Sequence, residues 1–553
     1  MFVADTETTK NADGSMRVWL WDICTIGEPY THVSGTDIND MMQYMFANPD
    51  LYYFHNIKYD GSYILYWLND NKYTFVNKSV GEPGTYSALI TDRNVWFAIT
   101  ITNFDGITIE LHDSYKKLVM SVEKVAEAYK LPMSKGEIDY NAYRPVGYIP
   151  TADEISYVTR DTEIVARALH AQYEQGLDKM TAPACALDAY KHMVDFEKLF
   201  STKWWNTHRS AERFCRMAYA GGISWVNPDL QERECKHGLV YDYNSMYPSV
   251  MLMYPYPVGC PCRWYDTPPK NNYNLYVARC RVDILLKPGC PACIRDPLHK
   301  NWITAFDGEL YLTNIDIELL QQNYTGECEL LDGYAFKSET GIFDCYINHW
   351  AEIKRTSKGA MRALAKLMLN SFYGKFGMNP VKGRKCPTWD DKNILHYKLL
   401  PPDDGKCISI AVAIFTTAYA RRELIRGYHS CKGYVAYMDT DSLHIVSEYD
   451  GCPSKKAAAF GGKTHETDFG AWKCEGRFVR AKYLRQKTYI EEKPSGELNI
   501  AACGCPASSK NYITYNNFKM GASYKGKLLT KMRVGGTELV NGRFTVKEPI
   551  KPF

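Results

Sequence analysis

Strand-like and helix-like patterns alternate over roughly the first 180 residues. Apolar runs at residues 2–4 and 51–54 predict strands. Thr151 and Glu154 form a Thr-x-x-Glu capping pattern, which predicts a helix from there to about Gln175. A helical link that carries lysines is predicted to follow, up to about Tyr219. Alternation of this kind is typical of an α/β fold.

The pattern becomes mixed after Gly221. Residues 260–339 are rich in Pro, Cys, Gly and Asn, which predicts an insertion with short strands. Helical periodicity predicts a single long helix over about 346–376 and another over about 410–428, with a polar hairpin or loop at 377–406 between them. Two β-prone runs at 434–446 flank an acidic turn, and the remainder is rich in strand patterns.

Composition narrows the class of protein without identifying it. A chain of 553 residues that is 45% hydrophobic and 23% charged is long enough for several globular domains. The formal net charge of +3 gives no argument for a nucleic-acid partner, so any basic groove must come from local clusters. The 42 tyrosines suit stacking on bases, although ordinary core and surface positions are expected to account for most of them.

The 18 cysteines are predicted to be reduced. The first residues lack the pattern of a secretory signal, and no run approaches the length of a membrane span. We therefore expect no membrane partner and a cytoplasmic location. Cys260, Cys262, Cys290 and Cys293 form two close pairs with zinc-knuckle spacing, but buried or incidental thiols are the favoured interpretation.

Asp439 and Asp441 occupy the turn between the two β-prone runs. Carboxylates this close repel one another unless a cation lies between them, and Mg²⁺ takes oxygen ligands. Asp242 ends a third predicted strand, and the turn and the helix around Pro248 that follow suit a triphosphate. The three carboxylates are a candidate site for two metal ions; a polar turn and a capping Asp are the alternatives.

The predicted long helix carries a polar stripe. At about 100° per residue, its members lie within roughly 80° of arc. They are Arg362, Lys366, Asn370 and Tyr373. The apolar residues on the other sides are Met361, Leu364, Leu367, Met368 and Phe372. Two cations, an amide and a phenol on one face suit triphosphate binding beside a base pair, and a solvated charged face is the alternative.

A second set of carboxylates lies in the first part of the chain. Asp5 and Glu7 are predicted to end the first strand, Asp60 begins a helix after residues 51–54, and Asp161 shares a helix face with Tyr157. Together they can hold two metals that activate a water against a phosphodiester, with Tyr157 orienting that water. An isolated Asp-x-Glu is more often a solvated pair, so the weight rests on the combination.

These residues resemble the three motifs of the DEDDy 3′–5′ proofreading exonucleases. The resemblance implies that Asp5, Glu7, Asp60 and Asp161 bind metal. It implies DNA contacts from four residues: His55, Asn56, Tyr59 and Ser114. Lys135 matches a further motif of one branch and is predicted to be catalytic, whereas Tyr115 stands where that branch usually has leucine, which leaves its role open.

Residues 242–248, 366–374 and 437–442 resemble, in order, the three polymerase motifs of family B DNA polymerases. The likeness is closer to the protein-primed branch of small podophages (phi twenty-nine type), with further matches at 144–148, 175–181, 219–222 and 480–489. It implies nucleotide binding by Tyr247, Arg362, Lys366, Asn370 and Tyr373, with Tyr247 under the sugar. It implies DNA binding by Tyr219, Gly221, Gly222, Ser245, Thr440, Lys487 and Tyr489.

The resemblance implies a fold of mixed α/β and α+β domains, an RNase H-like exonuclease beside a right-hand palm, fingers and thumb with two insertions. The expected divisions are exonuclease 1–180, linker 181–222, palm start 223–260, first terminal-protein region 261–349, fingers helix 350–376, second terminal-protein region 377–407, palm 408–490 and thumb 491–553. Arg362 stands where relatives often have Lys, which preserves charge but alters hydrogen-bond geometry.

The expected function is a DNA-dependent DNA polymerase with proofreading exonuclease, viral, strand-displacing and primed by a terminal protein on linear double-stranded DNA. Two Mg²⁺ ions per site are expected, replaceable by Mn²⁺. Expected partners are primer-template DNA, dNTPs and the priming protein, with the chain a monomer or a heterodimer with that protein. The alternatives are a family B enzyme with an ordinary nucleic-acid primer, a nuclease with a DNA-binding second half, and a scaffold that has lost catalysis.

Overall fold

A computed structural model describes residues 1–78, 81–139, 142–270, 272–298, 301–431, 435–448, 465 and 467–547. The first part of the chain forms these elements: β1 (Phe2–Lys10), β2 (Met16–Thr25), β3 (His32–Gly35), α1 (Ile38–Ala47), β4 (Leu51–Phe54), α2 (Asp60–Asp70), β5 (Thr74–Phe75), β6 (Thr85–Thr91), β7 (Trp96–Thr102), β8 (Thr108–Asp113), α3 (Tyr115–Leu118), α4 (Val122–Tyr129) and α5 (Ala152–Glu174). The capping box of Thr151 and Glu154 is present at the start of α5, as predicted.

The strands of this part lie in the order β6-β7-β8-β4-β1-β2-β3, and β4 runs parallel to both of its neighbours. Successive side chains of β1 point to opposite faces. Ala4 packs with α1 and α2, whereas Val3 packs with α4 and α5. Asp5 and Glu7 share the parity of Val3, so the alternation of β1 directs both carboxylates towards α5.

A link of four helices follows: α6 (Ala182–Lys191), α7 (Phe196–Phe200), α8 (Thr202–Thr207) and α9 (Arg209–Met217). The middle of the chain then forms β9 (Ser224–Val226), β10 (Glu234–Tyr243), α10 (Met246–Met253), β11 (Tyr256–Tyr265), β12 (Leu275–Leu286), β13 (Ala305–Thr313), α11 (Asn314–Asn323) and β14 (Tyr324–Glu339). The strands β11 to β14 form a separate antiparallel sheet in the order β11-β14-β12-β13. The prediction of short strands in this insertion was wrong, because β12 and β14 are 12 and 16 residues long.

The remaining elements are α12 (Asp344–Thr356), α13 (Gly359–Ser371), β15 (Val381–Trp389), β16 (Leu395–Asp404), α14 (Ile410–Ser430), β17 (Val435–Asp439), β18 (Ser442–Glu448), β19 (Trp472–Arg485), β20 (Thr488–Glu492), β21 (Leu498–Ala502), β22 (Ser523–Arg533) and β23 (Gly536–Thr545). Short 3-10 helices lie at Tyr373–Lys375 and Ala507–Tyr512. A second large sheet has the order β21-β20-β19-β10-β18-β17-β9. Residue 434, at the start of the predicted hairpin, lies outside the described residues.

The single helix predicted over 346–376 is two helices, so that prediction was wrong. The break falls at Ser357 and Lys358, and Gly359 has a φ of +56°, a conformation that favours glycine. A Cβ at Gly359 would also lie 3.2 Å from the carbonyl oxygen of Tyr129. Helical periodicity continues across such a break, which is why the sequence alone does not reveal it.

The sequence predicts either a hairpin or a loop at 377–406, and the structure shows a hairpin formed by β15 and β16. Its strand β15 pairs with β6 through Arg384 opposite Thr91, so the hairpin extends the sheet of the first part to ten strands with β5. Within the described part of the chain, no helix is both long and apolar enough to cross a membrane.

Candidate active sites

The four carboxylates of the first part come together, as the sequence predicts. Asp5 and Glu7 lie inside β1 rather than at its end, which corrects the expected strand boundary; the strand continues to Lys10 with a register shift after Glu7. The Thr6 hydroxyl donates to Asp60 Oδ1 at 2.5 Å, which ties the start of α2 to β1. Asp5 and Asp161 line one cavity of about 490 Å³.

Crowding and burial shift all four carboxyl groups in the same direction. Burial, Asp60 and Glu7 raise the pKa of Asp5 well above its usual range. Burial and Asp161 raise the pKa of Glu7 to about 8, and burial raises the pKa of Asp60 to about 6. Buried like charges of this kind are unfavourable without a cation.

Lys135 supplies one cation at this site. Its Nζ lies 2.8 Å from Asp161 Oδ2 and 5.6 Å from the centre of the Tyr157 ring. Burial raises the pKa of Asp161, while Lys135 and a hydrogen bond from Tyr157 oppose that shift. The predicted pair of catalytic groups, Lys135 and Tyr157, therefore meets at Asp161.

The predicted DNA-contacting residues of this site differ in exposure. Asn56 is exposed and has a φ of +70°, stabilised by its backbone N–H donating to Asp113 Oδ1 at 2.9 Å. His55 is half-buried and its Nδ1 lies 3.0 Å from Ser114 Oγ. Ser114 is fully buried, and its hydroxyl also donates to the carbonyl oxygen of Phe54. Ser114 therefore holds the His55 ring, and direct contact of its side chain with DNA is not supported.

A wider cleft of about 1180 Å³ joins these residues to distant segments. Asp5, Glu7, Asp60 and Asp161 line it together with Tyr59 and Tyr157. The 377–407 hairpin and the hairpin formed by β22 and β23, here called the C-terminal hairpin, also line this cleft. Their lining residues are Leu395, His396, Tyr397, Thr530, Met532, Thr537, Glu538, Leu539 and Asn541. Three separate parts of the chain therefore line this cleft.

The second carboxylate site lies in the large sheet of the second half. Asp242 on β10 is opposite Ser442 on β18, and Asp439 on β17 is opposite the same serine. Thr440 and Asp441 form the two-residue turn between β17 and β18, and Thr440 has a φ of +55°. Three neighbouring strands thus bring the predicted carboxylates to one edge of the sheet.

Electrostatics at this edge again favour a cation. Burial, Asp441 and Glu475 raise the pKa of Asp242 to about 7, against the lowering effect of Lys473 and Lys366. Burial and Asp439 raise the pKa of Asp441 to about 6. The half-buried carboxylates therefore repel one another in the protein alone.

Lys487 and Tyr437 fix the orientation of Asp439. Lys487 Nζ lies 3.0 and 2.9 Å from the two carboxylate oxygens of Asp439. The Tyr437 hydroxyl donates to Asp439 Oδ2 at 3.1 Å and accepts from the Lys487 backbone N–H at 3.0 Å. Tyr489, predicted to contact DNA, packs its ring 5.0 Å from that of Tyr437.

Both sites have the donor set of a hard divalent cation, although the protein alone does not form a closed cage. Among the described residues, no three His, Cys, Asp or Glu side chains are already disposed around a metal position. Asp161 Oδ1 is buried without a hydrogen-bond partner among the described residues. Carboxylate oxygens with raised pKa values and an unsatisfied buried oxygen fit Mg²⁺ or Mn²⁺, which bind oxygen ligands.

The polar stripe is confirmed as a surface of α13. Arg362, Lys366 and Asn370 are exposed, whereas Leu364 and Met368 are buried. Tyr373 lies one turn beyond, in the 3-10 helix, and its ring is 4.0 Å from that of Tyr247 at an angle of 31°. The stripe therefore runs towards the helix α10 that begins beside Asp242.

Ser245 and Tyr247 flank the start of α10. Ser245 has a φ of +51°, and its hydroxyl accepts a hydrogen bond from Lys354 Nζ at 3.3 Å. Burial, Lys366 and Arg362 lower the pKa of Lys354, so it belongs to the same group of cations. Lys354 was missed at the level of sequence because it lies on α12, across the unpredicted break.

The turn at Gly221 and Gly222 is set by close contacts. A Cβ at Gly222 would lie 2.7 Å from Thr440 Oγ1, and the Thr440 N–H donates to the carbonyl oxygen of Ile223 at 2.7 Å. The buried guanidinium of Arg421 donates to the carbonyl oxygens of Ala220 and Gly221 at 2.7 and 3.1 Å. This turn thus touches the acidic hairpin directly, and Arg421 is a second residue that the sequence did not single out.

Tyr219 lies behind this turn. Burial and the neighbouring Tyr373 raise the pKa of Tyr219 to about 12. A Cβ at Gly377 would lie 2.6 Å from the Tyr219 hydroxyl. The tyrosines 219, 247 and 373 therefore form one cluster between the link helices and the polar stripe.

The cysteine pairs do not gather into a candidate metal site. Cys260 and Cys262 are exposed, whereas Cys290 and Cys293 are buried. Burial raises the pKa of the Cys293 thiol, which favours the protonated form over a metal-binding thiolate. The described residues contain no cluster of metal-ligand spacing at these positions.

Comparison with known proteins extends these observations to nearly the whole chain. A family model described as "DNA polymerase type B, organellar and viral" matches residues 41–152 and 150–450. The DNA polymerase of Bacillus phage M2 is 34% identical over 99% of both chains, and that of Bacillus phage phi29 is 33% identical over 99% of both. The chain belongs to the organellar and viral type B DNA polymerases.

Solved structures of this family agree in fold. The chain is similar to phi29 DNA polymerase complexed with primer-template DNA, with a TM-score of 0.92, 32% identity, and coverage of 99% of this chain and 100% of that one. A ternary complex of the same polymerase with incoming nucleotide gives a TM-score of 0.90. The multidomain fold and the family predicted from sequence are therefore confirmed, and the chain is a viral family B DNA polymerase that depends on divalent metal.

Proposed function

We propose that the chain copies DNA at the Asp242–Asp439–Asp441 site and removes 3′-terminal nucleotides at the Asp5–Glu7–Asp60–Asp161 site. The observation that carries this proposal is the presence of two separate carboxylate clusters, each with its own lysine. Lys135 lies 2.8 Å from Asp161, and Lys487 lies 2.9 Å from Asp439. Two Mg²⁺ ions per site, replaceable by Mn²⁺, complete the proposal.

At the polymerising site, Asp242, Asp439 and Asp441 would hold the metals. When bound, the two cations lower the pKa of the primer 3′-hydroxyl and stabilise the charge that develops on the leaving pyrophosphate. Lys366 neutralises the same charge from α13, and Arg362 and Asn370 orient the triphosphate. The Tyr247 ring, packed on Tyr373, lies under the sugar and excludes a 2′-hydroxyl.

At the exonuclease site, Asp5, Glu7, Asp60 and Asp161 would hold the metals. Tyr157 and Lys135 orient the attacking water from the side of Asp161. Asn56 and Tyr59 bind the single-stranded end, and His55 supports that surface from its contact with Ser114. The carboxylates bind metal only when they are deprotonated.

Protein priming and strand displacement rest on the likeness to the phage enzymes. The insertion at 261–349 would contact the priming protein, and the hairpin at 377–407 would enclose DNA and separate the strand ahead. Tyr219, Gly221, Gly222, Ser245, Thr440, Lys487 and Tyr489 would hold the primer-template. The proposed divisions keep residues 1–180 as exonuclease, 408–490 as palm and 491–553 as thumb, and the host cytoplasm remains the proposed location.

Extension of a labelled primer on a template tests the two-site proposal. With Mg²⁺ and dNTPs we expect extension, and without dNTPs we expect degradation. Asp439→Ala should lower extension by about 100- to 1000-fold and spare degradation, while Asp5→Ala should do the reverse. Arg355→Ala, an exposed cation paired with Glu352 on α12, is the control. If both activities fall together in both variants, the assignment of two independent sites is wrong.

A separate assay tests priming by protein. The purified chain, a hydroxyl-bearing candidate protein from the same genome and labelled dNTPs should form a nucleotidyl-protein. In that step the hydroxyl oxygen bonds to the α-phosphorus and pyrophosphate leaves. Extension from nucleic-acid primers alone, with no labelled protein for any candidate, would favour the alternative of an ordinary primer.

A further inference from the structure

The tip of the C-terminal hairpin docks on the first part of the chain beside the proposed exonuclease site. Met16 N–H donates to the carbonyl oxygen of Val534 at 2.8 Å. A Cβ at Gly535 would lie 2.1 Å from the carbonyl oxygen of Met16, and one at Gly536 would lie 2.3 Å from the Tyr63 ring. Gly535, between β22 and β23, and Gly536, the first residue of β23, therefore permit a contact that no larger residue allows without displacement.

Two rows of polar groups lead from this tip to Tyr59. In the first, the Tyr63 hydroxyl donates to the carbonyl oxygen of Thr537 at 2.8 Å and lies 3.4 Å from the Tyr59 hydroxyl. In the second, the Thr537 hydroxyl donates to Ser62 Oγ at 3.0 Å, and Ser62 Oγ donates to the carbonyl oxygen of Tyr59 at 2.7 Å. Both the side chain and the backbone of Tyr59 are thus connected to Thr537.

Tyr59 in turn contacts the strand that carries the carboxylates. Its hydroxyl lies 2.6 Å from Thr8 Oγ1, next to Glu7 and directly after the register shift of β1. Tyr59 and Thr537 line the wide cleft, whereas Tyr63 is buried and is not among the residues that line it. Tyr63 therefore has no direct access to DNA in the cleft and can act only through its neighbours.

Phenols are protonated at neutral pH, so the hydroxyl groups of Tyr59 and Tyr63 can both donate hydrogen bonds. A buried hydroxyl without a partner is costly, so each is restricted to the geometry in which its hydrogen bonds are made. Lys10 and Glu538 add an ion pair of 2.9 Å at the edge of the contact. Lys10 is exposed, and such a pair contributes little to docking.

We infer that Tyr63 is a positioning residue through which the docked C-terminal hairpin sets Tyr59 for the single-stranded 3′ end. The inference rests on the proposed exonuclease function, because Tyr59 is assigned there to DNA binding. It adds a second role for the C-terminal hairpin, which helps to position the residues of the exonuclease site through the Tyr63 hydroxyl.

Tyr63→Phe removes only the connecting hydroxyl. We expect KM for a 5′-labelled single-stranded oligonucleotide to rise about 3- to 10-fold, the equivalent of one hydrogen bond, with kcat changed less than about 2-fold. Extension of a primed template should be unchanged. Tyr66→Phe is the matched control, because Tyr66 is a buried tyrosine on the same helix whose hydroxyl accepts from the Leu395 N–H of the other hairpin at 2.9 Å.

A double-mutant cycle separates positioning from general loosening. If Tyr63 acts through Tyr59, then Tyr63→Phe should have no further effect on KM in a Tyr59→Phe background. Gly536→Ala, which displaces the tip and so also disturbs the row through Ser62, should raise KM at least as much as Tyr63→Phe. Equal effects of Tyr63→Phe in both backgrounds, an unchanged KM, or the same rise for Tyr66→Phe would each overturn the inference.

Binding measured without metal keeps this test distinct from the proposed function. Fluorescence anisotropy of the labelled oligonucleotide in EDTA should show Kd weakened about 3- to 10-fold by Tyr63→Phe, with the same non-additivity. If the wild-type chain binds in this manner but degrades nothing with Mg²⁺, the exonuclease proposal fails while the role of Tyr63 stands. Unchanged anisotropy beside active wild-type degradation overturns the role of Tyr63 alone.

Discussion

The two carboxylate sites of this chain use the same chemical groups on differently built supports. The Asp242 site is assembled within one sheet, where neighbouring strands and a two-residue turn fix all three carboxylates. The site of Asp5 and Asp161 is assembled from a strand, two helices and a loop that supplies Lys135. A site drawn from many elements depends on their docking, so distant contacts influence it more.

The sites also differ in how strongly their carboxylates repel one another. Four carboxyl groups share the first site, and the pKa of Glu7 reaches about 8 there. Three share the second, where the pKa of Asp242 reaches about 7 and the exposed Lys487 pairs with Asp439. Metal is therefore expected to stabilise the first site more than the second.

Among further changes that test this comparison, the largest expected effect comes from a cation outside the carboxylate clusters that only one site uses. Lys366→Ala removes the exposed cation of α13, and we expect primer extension to fall about 100-fold because charge on the leaving pyrophosphate loses a partner. Degradation of single-stranded DNA should be unchanged. Single-turnover extension and ssDNA degradation measure the two effects side by side. A fall in both rates would mean that α13 serves both sites and that their separation is incomplete.

The next effect is a different dependence on pH and metal. Protons compete with metal for carboxylates, so the metal needed for half-maximal activity rises as pH falls through the pKa values of the free site. For degradation this rise should begin at pH 8 or above, because of Glu7 and Asp5, and for extension near pH 7, because of Asp242. Each competing proton contributes up to about 10-fold per pH unit.

Titrations of Mg²⁺ between pH 6 and pH 9 give both curves from one preparation. As pH is lowered, we expect the apparent affinity for Mg²⁺ to weaken at a higher pH for degradation than for extension. Identical curves would show that the carboxylates of the two sites repel one another equally, which contradicts the comparison.

The smallest effect is on stability. The pKa of Glu7 is raised in the folded state, so this carboxyl group holds its proton more tightly there than in the unfolded chain. Ionised Glu7 therefore destabilises the folded state, and this destabilisation grows as pH rises from about 4.5 towards 8. Glu7→Gln removes the charge and with it this destabilisation. In EDTA at pH 8.5 we expect the melting temperature to rise by about 2–5 °C, and at pH 4 we expect little change.

Thermal unfolding with and without Mg²⁺ measures this. Added metal should stabilise the wild type more than Glu7→Gln, because the variant has lost a ligand. Asp391→Asn, an exposed carboxylate in the turn between β15 and β16, is the control and should change neither condition. A lower melting temperature for Glu7→Gln in EDTA would show that the repulsion at this site is not limiting.

Local patterns predicted most of the site but not its supports. The strand before Asp242, the acidic turn and the capping box of α5 follow from short-range rules, and all are present. The break at Ser357 is invisible to periodicity, which is why Lys354 was missed. The strand that pairs with β6 and the hairpin that docks on Tyr63 come from segments far away in sequence. Such partners are selected by tertiary packing rather than by local propensity.

The sequence also did not reveal which of the predicted site residues are buried. Ser114 matches a DNA-contacting position, yet its burial behind His55 turns it into a support. The docking of Thr537 on Tyr63 could not be predicted, because neither residue belongs to a recognisable motif and 474 positions separate them.

The pairing of β15 with β6 has a consequence for dissecting the molecule. The edge of β6 is covered by a strand that begins at Val381, so residues 1–180 made as a separate protein would leave the N–H and C=O groups around Ile90 and Thr91 unpaired. Exposed strand edges recruit other strands. Such a fragment would be prone to self-association, and a soluble version would need that edge supplied in trans by a peptide covering the 377–407 hairpin.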